Sequence, residues 1–232
     1  GGRWEIAYAG ALAGAAGWAA PITAVTAVAA YPLLTTGGTA VTPTIATTTD
    51  GLVRYSGFEV MDLGLGSGSD LLDVASTIAG QTTVAAGAGN DRVFVSSISG
   101  PTSVLGQGGD DWTVVNPNPP APGTPNPMNG QTLSIDGGAG SDYSIVGLFG
   151  NGDSRIDVAD TVSDGATNVL VVNGTSGPDT FLLRAKTAPV LGLVAALSGP
   201  TAAGTFAHAE KVTYTARING GVLVDGGDGD DR

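Results

Sequence analysis

Gly66-Ser-Gly68-Ser-Asp70, Gly87-Ala-Gly89-Asn-Asp91 and Gly106-Gln-Gly108-Gly-Asp110 are three versions of one short pattern between Leu63 and Val115, and their reading decides the fold. The aspartates stand 21 and 19 residues apart. A fixed period near twenty predicts units that stack on one another. The expected fold is therefore all-β: a parallel β-solenoid with coils of about 20 residues, its right hand and its β-helix or β-roll type resting on fold analogy and not on the period. Glycines two and four positions before each aspartate let the backbone take the positive φ angles of a tight corner. The aspartate can then cap freed amides or hold a cation.

A strand follows each corner. Two residues past the aspartates come Leu72, Val93 and Trp112, and four past come Val74, Val95 and Val114, so alternate side chains point one way. Seven residues before them lie Leu63 and Val84, with Ser103 interrupting the column. Val104 fills it if Asp111 rather than Asp110 is the corner residue, and both registers remain open. Stacking buries such columns as one continuous core.

The chain has 232 residues, 9 basic against 21 acidic, and 42% hydrophobic residues, enough for a sizeable core. Eighteen of the acidic residues are Asp, the type that corners and calcium loops use, whereas Glu suits helices. A net charge of −12 excludes nucleic acid and anionic lipid as natural partners. With no cysteine, disulfides and thiolate metal sites are excluded as well. The 38 glycines are about twice ordinary usage but lack a collagen register.

The chain divides into residues 1–50, rich in Ala, Gly and Thr, and residues 51–232, which carry the repeat. The start, Gly1-Gly-Arg-Trp-Glu5, reads as an excerpt or processed piece of something longer. No charge occurs from Ile6 to Thr49, yet the small residues, Pro21 and the misplaced Glu5 argue against a signal peptide, and no membrane span is expected. A short helix near Ala9 to Ala20, or additional strands, is expected to cap an open end or dock a neighbouring subunit. Thr47-Thr-Thr-Asp50-Gly51 reads as a strand closing in a turn, and Leu52 to Leu63 leads as strand into the first corner.

Residues 116–130 hold six prolines and are expected as a lateral loop, with a domain linker as the rival reading. Gly138-Ala-Gly140-Ser-Asp142 follows 32 residues after Asp110, and removing a loop of about twelve restores the period. Further on the pattern loosens. Gly150-Asn-Gly152-Asp-Ser154 has serine in the aspartate's place, and Thr175-Ser-Gly177-Pro-Asp179 has lost its first glycine. Residues 188–204 read as a lateral loop with one strand, and residues 211–218 as another strand. That strand leads to a last corner, Gly226-Gly-Asp-Gly229-Asp-Asp231.

These corners resemble the haemolysin-type, or RTX, calcium-binding repeat, Gly-Gly-x-Gly-x-Asp followed by x-apolar-x. The matching residues are Gly66, Gly68, Asp70 and Leu72; Gly87, Gly89, Asp91 and Val93; Gly138, Gly140 and Asp142; and Gly226, Gly227, Gly229 and Asp231. In that family successive nine-residue units form a parallel β-roll with calcium between stacked corners. Here the corners do not recur every nine residues, and the leading glycine is Leu65, Ala86 or Leu105 in the core copies. The whole run is also similar to large, repetitive bacterial surface and secreted proteins, which implies export and implies no reaction.

The resemblance makes calcium the expected cofactor, held by carboxylates of Asp70, Asp91, Asp110, Asp142 and Asp231 and by carbonyls that Gly66, Gly68, Gly87 and Gly89 leave accessible. The competing reading has the aspartates hydrogen-bonding their own turns. Catalysis has little to draw on. The one histidine, His208, reads as an ordinary strand or loop residue, and the acidic run Asp153, Asp157 and Asp160 has only Arg155 beside it. Trp112, Tyr143 and Phe181 read as core.

The expected function is a non-enzymatic extracellular structural protein that self-associates into a fibre or surface layer, with itself or adjacent repeats as partner. A calcium-dependent adhesion or secretion spacer is the alternative, and a carbohydrate-active β-helix the third reading.

Overall fold

The computed structural model describes residues 4–7, 44–47, 53–56, 59–117, 121, 123–187 and 190–232. All its regular elements are strands. They are β1 (Trp4–Ala7), β2 (Thr44–Thr47), β3 (Val53–Ser56), β4 (Val60–Gly64), β5 (Leu71–Val74), β6 (Gln81–Ala88), β7 (Arg92–Val95), β8 (Thr102–Gly108) and β9 (Trp112–Val115). There follow β10 (Thr132–Ala139), β11 (Tyr143–Gly147), β12 (Arg155–Ala159), β13 (Val169–Asn173), β14 (Phe181–Ala185), β15 (Val190–Pro200), β16 (Phe206–Thr215) and β17 (Gly221–Asp225). No helix among the described residues is long and apolar enough to cross a membrane. The expected helix near Ala9 to Ala20 lies outside the described residues.

From β4 to β13 the strands alternate between two sheets. One sheet has nine strands in the order β1-β4-β6-β8-β10-β12-β16-β15-β14, and the other six in the order β17-β13-β11-β9-β7-β5. Strands β2 and β3 form a separate antiparallel pair; the turn read from sequence after Thr47 lies outside the described residues. Every pairing in the six-stranded sheet is parallel. In the larger sheet β15 runs antiparallel to both neighbours.

This arrangement corrects the expected right-handed parallel β-solenoid with coils of about 20 residues. The chain forms two mostly parallel sheets of unequal size, and its period is not uniform. Corner residues hydrogen-bonded one above another are 21, 20, 31, 26 and 51 residues apart along the chain. The proline-rich segment between β9 and β10 accounts for the first long interval. The antiparallel strands β14 and β15, inserted between β13 and β16, account for the last. Residues 188–204, expected as a lateral loop with one strand, contain the whole of the eleven-residue strand β15, which pairs within the larger sheet.

The core lies between the two sheets. From the larger sheet it takes Val84, Val104, Ile135, Val158 and Tyr214, one column in register whose outer end is the half-buried Leu63. From the smaller it takes Val74, Val95, Val115, Val146, Val172 and Val224. Valine suits such strands because its branched side chain fills the pleat against the same residue above and below.

Here the register left open by the sequence is settled. Val104 faces inward with 1% of its surface exposed, so Asp111 is the corner residue. One residue of slip turns every side chain of a strand to the other face. Hence Thr113 and Val115 point inward, while Trp112, expected in the core, is 41% exposed, and Tyr143 is 38% exposed. Phe181 is half-buried and packs against the core as expected.

The two sheets have opposite outer faces. On the larger one a single column reads Asp62, Thr83, Ser103, Ser134, Asp157 and Thr213. On the smaller the columns read Leu71, Arg92, Trp112, Tyr143, Val169 and Gly221, and Asp73, Phe94, Val114, Ile145, Val171 and Leu223.

Candidate functional site

The corners that lead from the larger sheet into the smaller are built alike. Gly66, Gly87, Gln107 and Gly138 occupy one position, all at positive φ. A Cβ at Gly87 would run into the carbonyl oxygen of Gly66 in the row beneath, so only glycine fits there. Gln107 has φ 77°, a left-handed conformation that side chains disfavour.

The residues that end these corners, buried from Asp70 to Asn168 and exposed at Asn219, are joined by side chains that reach one row across. The Asp70 amide donates to Oδ1 of Asp91 at 2.7 Å, the Asp91 amide to Asp111 at 2.8 Å, and the Asp111 amide to Asp142 at 2.9 Å. The Asp142 amide donates to Oδ1 of Asn168 at 2.8 Å, and the Asn168 amide to Asn219 at 2.9 Å. Six residues thus form a continuous ladder of five bonds, in which the side chains of Asp91, Asp111, Asp142, Asn168 and Asn219 each cap the backbone amide of the row before. A corner amide facing the interior needs such an acceptor, since no strand carbonyl stands opposite it.

The carboxylates are half used. Oδ2 of Asp70, Asp91, Asp111 and Asp142 is buried without a hydrogen-bond partner. In Asp111 and Asp142 that oxygen lies against the α-carbon of Gly106 and Gly137, where a Cβ could not fit. Burial pushes the Asp142 carboxyl up to about 7, with Asp111, Asp160 and Asp110 adding repulsion against the pull of the Asp111 amide. Burial likewise pushes Asp111 up to about 6, and raises Asp91. The amide-bearing members have no such difficulty: Asn168 Nδ2 donates to Oδ2 of Asp160 and to the Arg217 carbonyl.

A second, exposed ladder runs one residue earlier. Asp110 donates its amide to Asn90 Oδ1 at 2.9 Å, and its own Oδ1 accepts the Ser141 amide at 2.8 Å. Asp110, named from sequence among the buried-corner residues, therefore belongs to the solvent-facing set. At the far end the pattern recurs once, the Asp179 amide donating to Asp231 Oδ1 at 2.9 Å. Of the sequence candidates, Asp70, Asp91 and Asp142 stand in one column, Asp110 lies beside it, and Asp231 belongs to a separate corner. Gly66, Gly68, Gly87 and Gly89 stack in the same corners, Gly89 donating to the Gly108 carbonyl at 2.7 Å.

Sequence reasoning left Asp111 open as the alternative to Asp110 and missed Asn168 and Asn219. For Asn168 a signal existed, because Leu170 and Val172 follow it at the same two- and four-residue offsets as at the other corners. It also missed Glu210, which is fully buried. Its carboxyl accepts from Ser154 Oγ at 2.8 Å, Asn126 Nδ2 at 3.3 Å, and the amides of Phe149 and Gly150 at 2.8 and 3.2 Å. It ties β16 to the proline-rich segment and to the corner before β12, and burial pushes it up to about 7 despite these donors.

Among the described residues, no group of three or more His, Asp or Glu side chains is placed to hold a metal ion. The buried column supplies amide acceptors, one carboxylate per row, and does not by itself assemble the six to eight oxygens that calcium takes. His208 is exposed, its Nδ1 2.8 Å from Asp153 Oδ2, whose carboxyl is held low by that bond. Arg155 bridges to Asp157 at 2.8 Å along the same strand.

No family model, no curated protein and no solved structure matches the chain.

Proposed function

We propose that this chain is a non-enzymatic structural module of an extracellular, cell-surface assembly, joining copies of itself or adjoining repeats of a longer chain into a fibre or layer. The observation that carries the reading is the ladder. The one polar motif that recurs through the chain is used to fasten row to row, with side chains capping backbone amides rather than converging on a pocket. Open edges supply the means of joining. Among the described residues β5, β14 and β17 each pair on one side only, and unpaired strand edges accept further strands.

Negative-stain electron microscopy of the purified chain, with calcium and again with a chelator, tests this. Filaments or sheets support it, and separate particles at every concentration in both conditions refute it. A calcium-dependent spacer is a second reading, favoured by the acidic run from Asp225 to Asp231, in which Asp228 and Asp230 are exposed. Folding that begins only when calcium is added, in a chain that stays monomeric, would select it.

A further inference from the structure

The outer face of the six-stranded sheet has the composition of a buried surface. Parallel strands covered on both faces read as near-continuous apolar runs, and β7, β9, β11 and β13 do so. Leu71, Trp112, Tyr143 and Leu223 are 52%, 41%, 38% and 59% exposed on that face. The larger sheet shows solvent the Ser, Thr and Asp column expected of a wet face, so the contrast lies in the sequence of the two sheets. We propose that this apolar face docks on the same face of a second copy of the chain. The proposal rests on the self-association reading above and assigns it a surface.

Three observations select that occupant. The chain carries a net charge of −12, so two copies repel over most approaches. Within the two outward columns of this face the charged residues are Asp73 and Arg92, one of each sign, so these columns add no net charge to the approach.

The aromatic pair is arranged for protein rather than sugar. Trp112 and Tyr143 stack on each other at 5.2 Å between ring centroids and 24° between planes, and the Arg92 guanidinium lies 5.6 Å from the Trp112 ring. Ring faces are thus taken up along the ladder, and ring edges with aliphatic neighbours face out. A pyranose needs a free ring face, whereas an apolar sheet packs on edges and methyl groups.

The area is also in range. Six strands at ~4.8 Å spacing and four residues at ~3.3 Å give a footprint of about 350 Å². Two such faces, with side-chain relief, bury about 1,000 Å², the lower bound for a specific interface. The contact is therefore weak and depends on concentration.

Sedimentation velocity of the intact chain across a concentration series tests it, with hydroxyl-radical footprinting of Trp112 and Tyr143 by mass spectrometry in the same samples. The expected result is a monomer–dimer shift in which both side chains lose reactivity as dimer forms. Ile145→Lys, at the centre of the face, weakens association at least tenfold, and Thr83→Lys on the polar sheet leaves it unchanged. Should Ile145→Lys fail to fold, the footprint on the natural sequence still decides. Association that leaves Trp112 and Tyr143 equally reactive overturns the proposed face while sparing self-association. A monomer at every concentration overturns both. A monomer whose Trp112 and Tyr143 are unreactive throughout assigns the cover to the chain itself and likewise overturns the second copy.

Discussion

Replacing Asp142 with asparagine should make the protein relatively more stable as pH rises. Asp142 is 5% exposed, and its carboxyl titrates near 7 in the fold against an ordinary 3.8. A folded value above the unfolded one means the folded state holds its proton longer. Stability is then greatest below pH ~4 and declines until the folded group ionises near pH 7. A shift of about three units corresponds to at most ~4 kcal/mol. Water reaching the corner and the coupling to Asp111 reduce this, and about 2 kcal/mol is the expected share of Asp142.

Asn168 and Asn219 already show that an asparagine Oδ1 accepts the corner amide. Asp142→Asn keeps the ladder bond, removes the charge and leaves Nδ2 where Oδ2 lacks a partner. Urea unfolding of both proteins at about pH 4.5 and pH 8 should show the difference moving by ~2 kcal/mol toward the variant, a few degrees in Tm for a chain of this length. An unchanged difference, or one moving toward the natural protein, would refute the reasoning. If the latter happened only with calcium present and vanished on chelation, Asp142 would be ionised beside a cation.

Three further outcomes follow from the corners and the buried glutamate. Gln107→Gly should raise stability by roughly 1 kcal/mol in chemical denaturation, because it relieves a left-handed residue where the other rows have glycine. Gly87→Ala should lower it by more than ~2 kcal/mol, since both its φ of 113° and the carbonyl of Gly66 oppose a Cβ; calorimetry reads the drop in Tm. Glu210→Ala strands four donors and should cost about 2–4 kcal/mol, whereas Glu210→Gln, which keeps an acceptor, should cost far less at pH ~8, where the natural carboxyl is charged; urea midpoints distinguish the two.

Much of the row structure was legible because it is local. Glycine two and four before aspartate locates the corners at Asp70, Asp91 and Asp142, and apolar residues two and four after mark the strands that follow the first two, with Ser144 and Val146 at those offsets in the third. The third corner stayed ambiguous between Asp110 and Asp111 for a physical reason. Gly106-Gln-Gly108-Gly109-Asp110-Asp111 contains the pattern in two registers, and glycine spacing alone favours the wrong one, since in the true register Gln107 holds a glycine position. The inward column containing Val104 carries the decisive information. What the sequence concealed is long-range. Nothing local says that residues 181–200 turn back as antiparallel strands, or that Glu210 ends beneath a loop 84 residues earlier. The direction in which a carboxylate bonds was equally hidden: a turn can be capped by its own aspartate, and here it is capped by the next row's.

The change from Asp to Asn along the ladder has its own cause. A buried carboxylate tolerates its neighbours only while repulsion stays below the value of the amide bond it makes, and each added row raises that repulsion. Four rows carry carboxylates; burial above all raises Asp91 and pushes Asp111 up to about 6 and Asp142 up to about 7, and neighbouring carboxylates add repulsion. At the fifth row Asp160 enters the interior from the larger sheet, 5% exposed and itself raised by burial. An aspartate at 168 would set two buried carboxylates against each other there. Asparagine instead supplies Nδ2 to Asp160 and Oδ1 to the Asp142 amide, so one side chain satisfies a charge and continues the ladder. Extending the column further in carboxylates would require a cation or a proton at each row, whereas amides let it continue with neither.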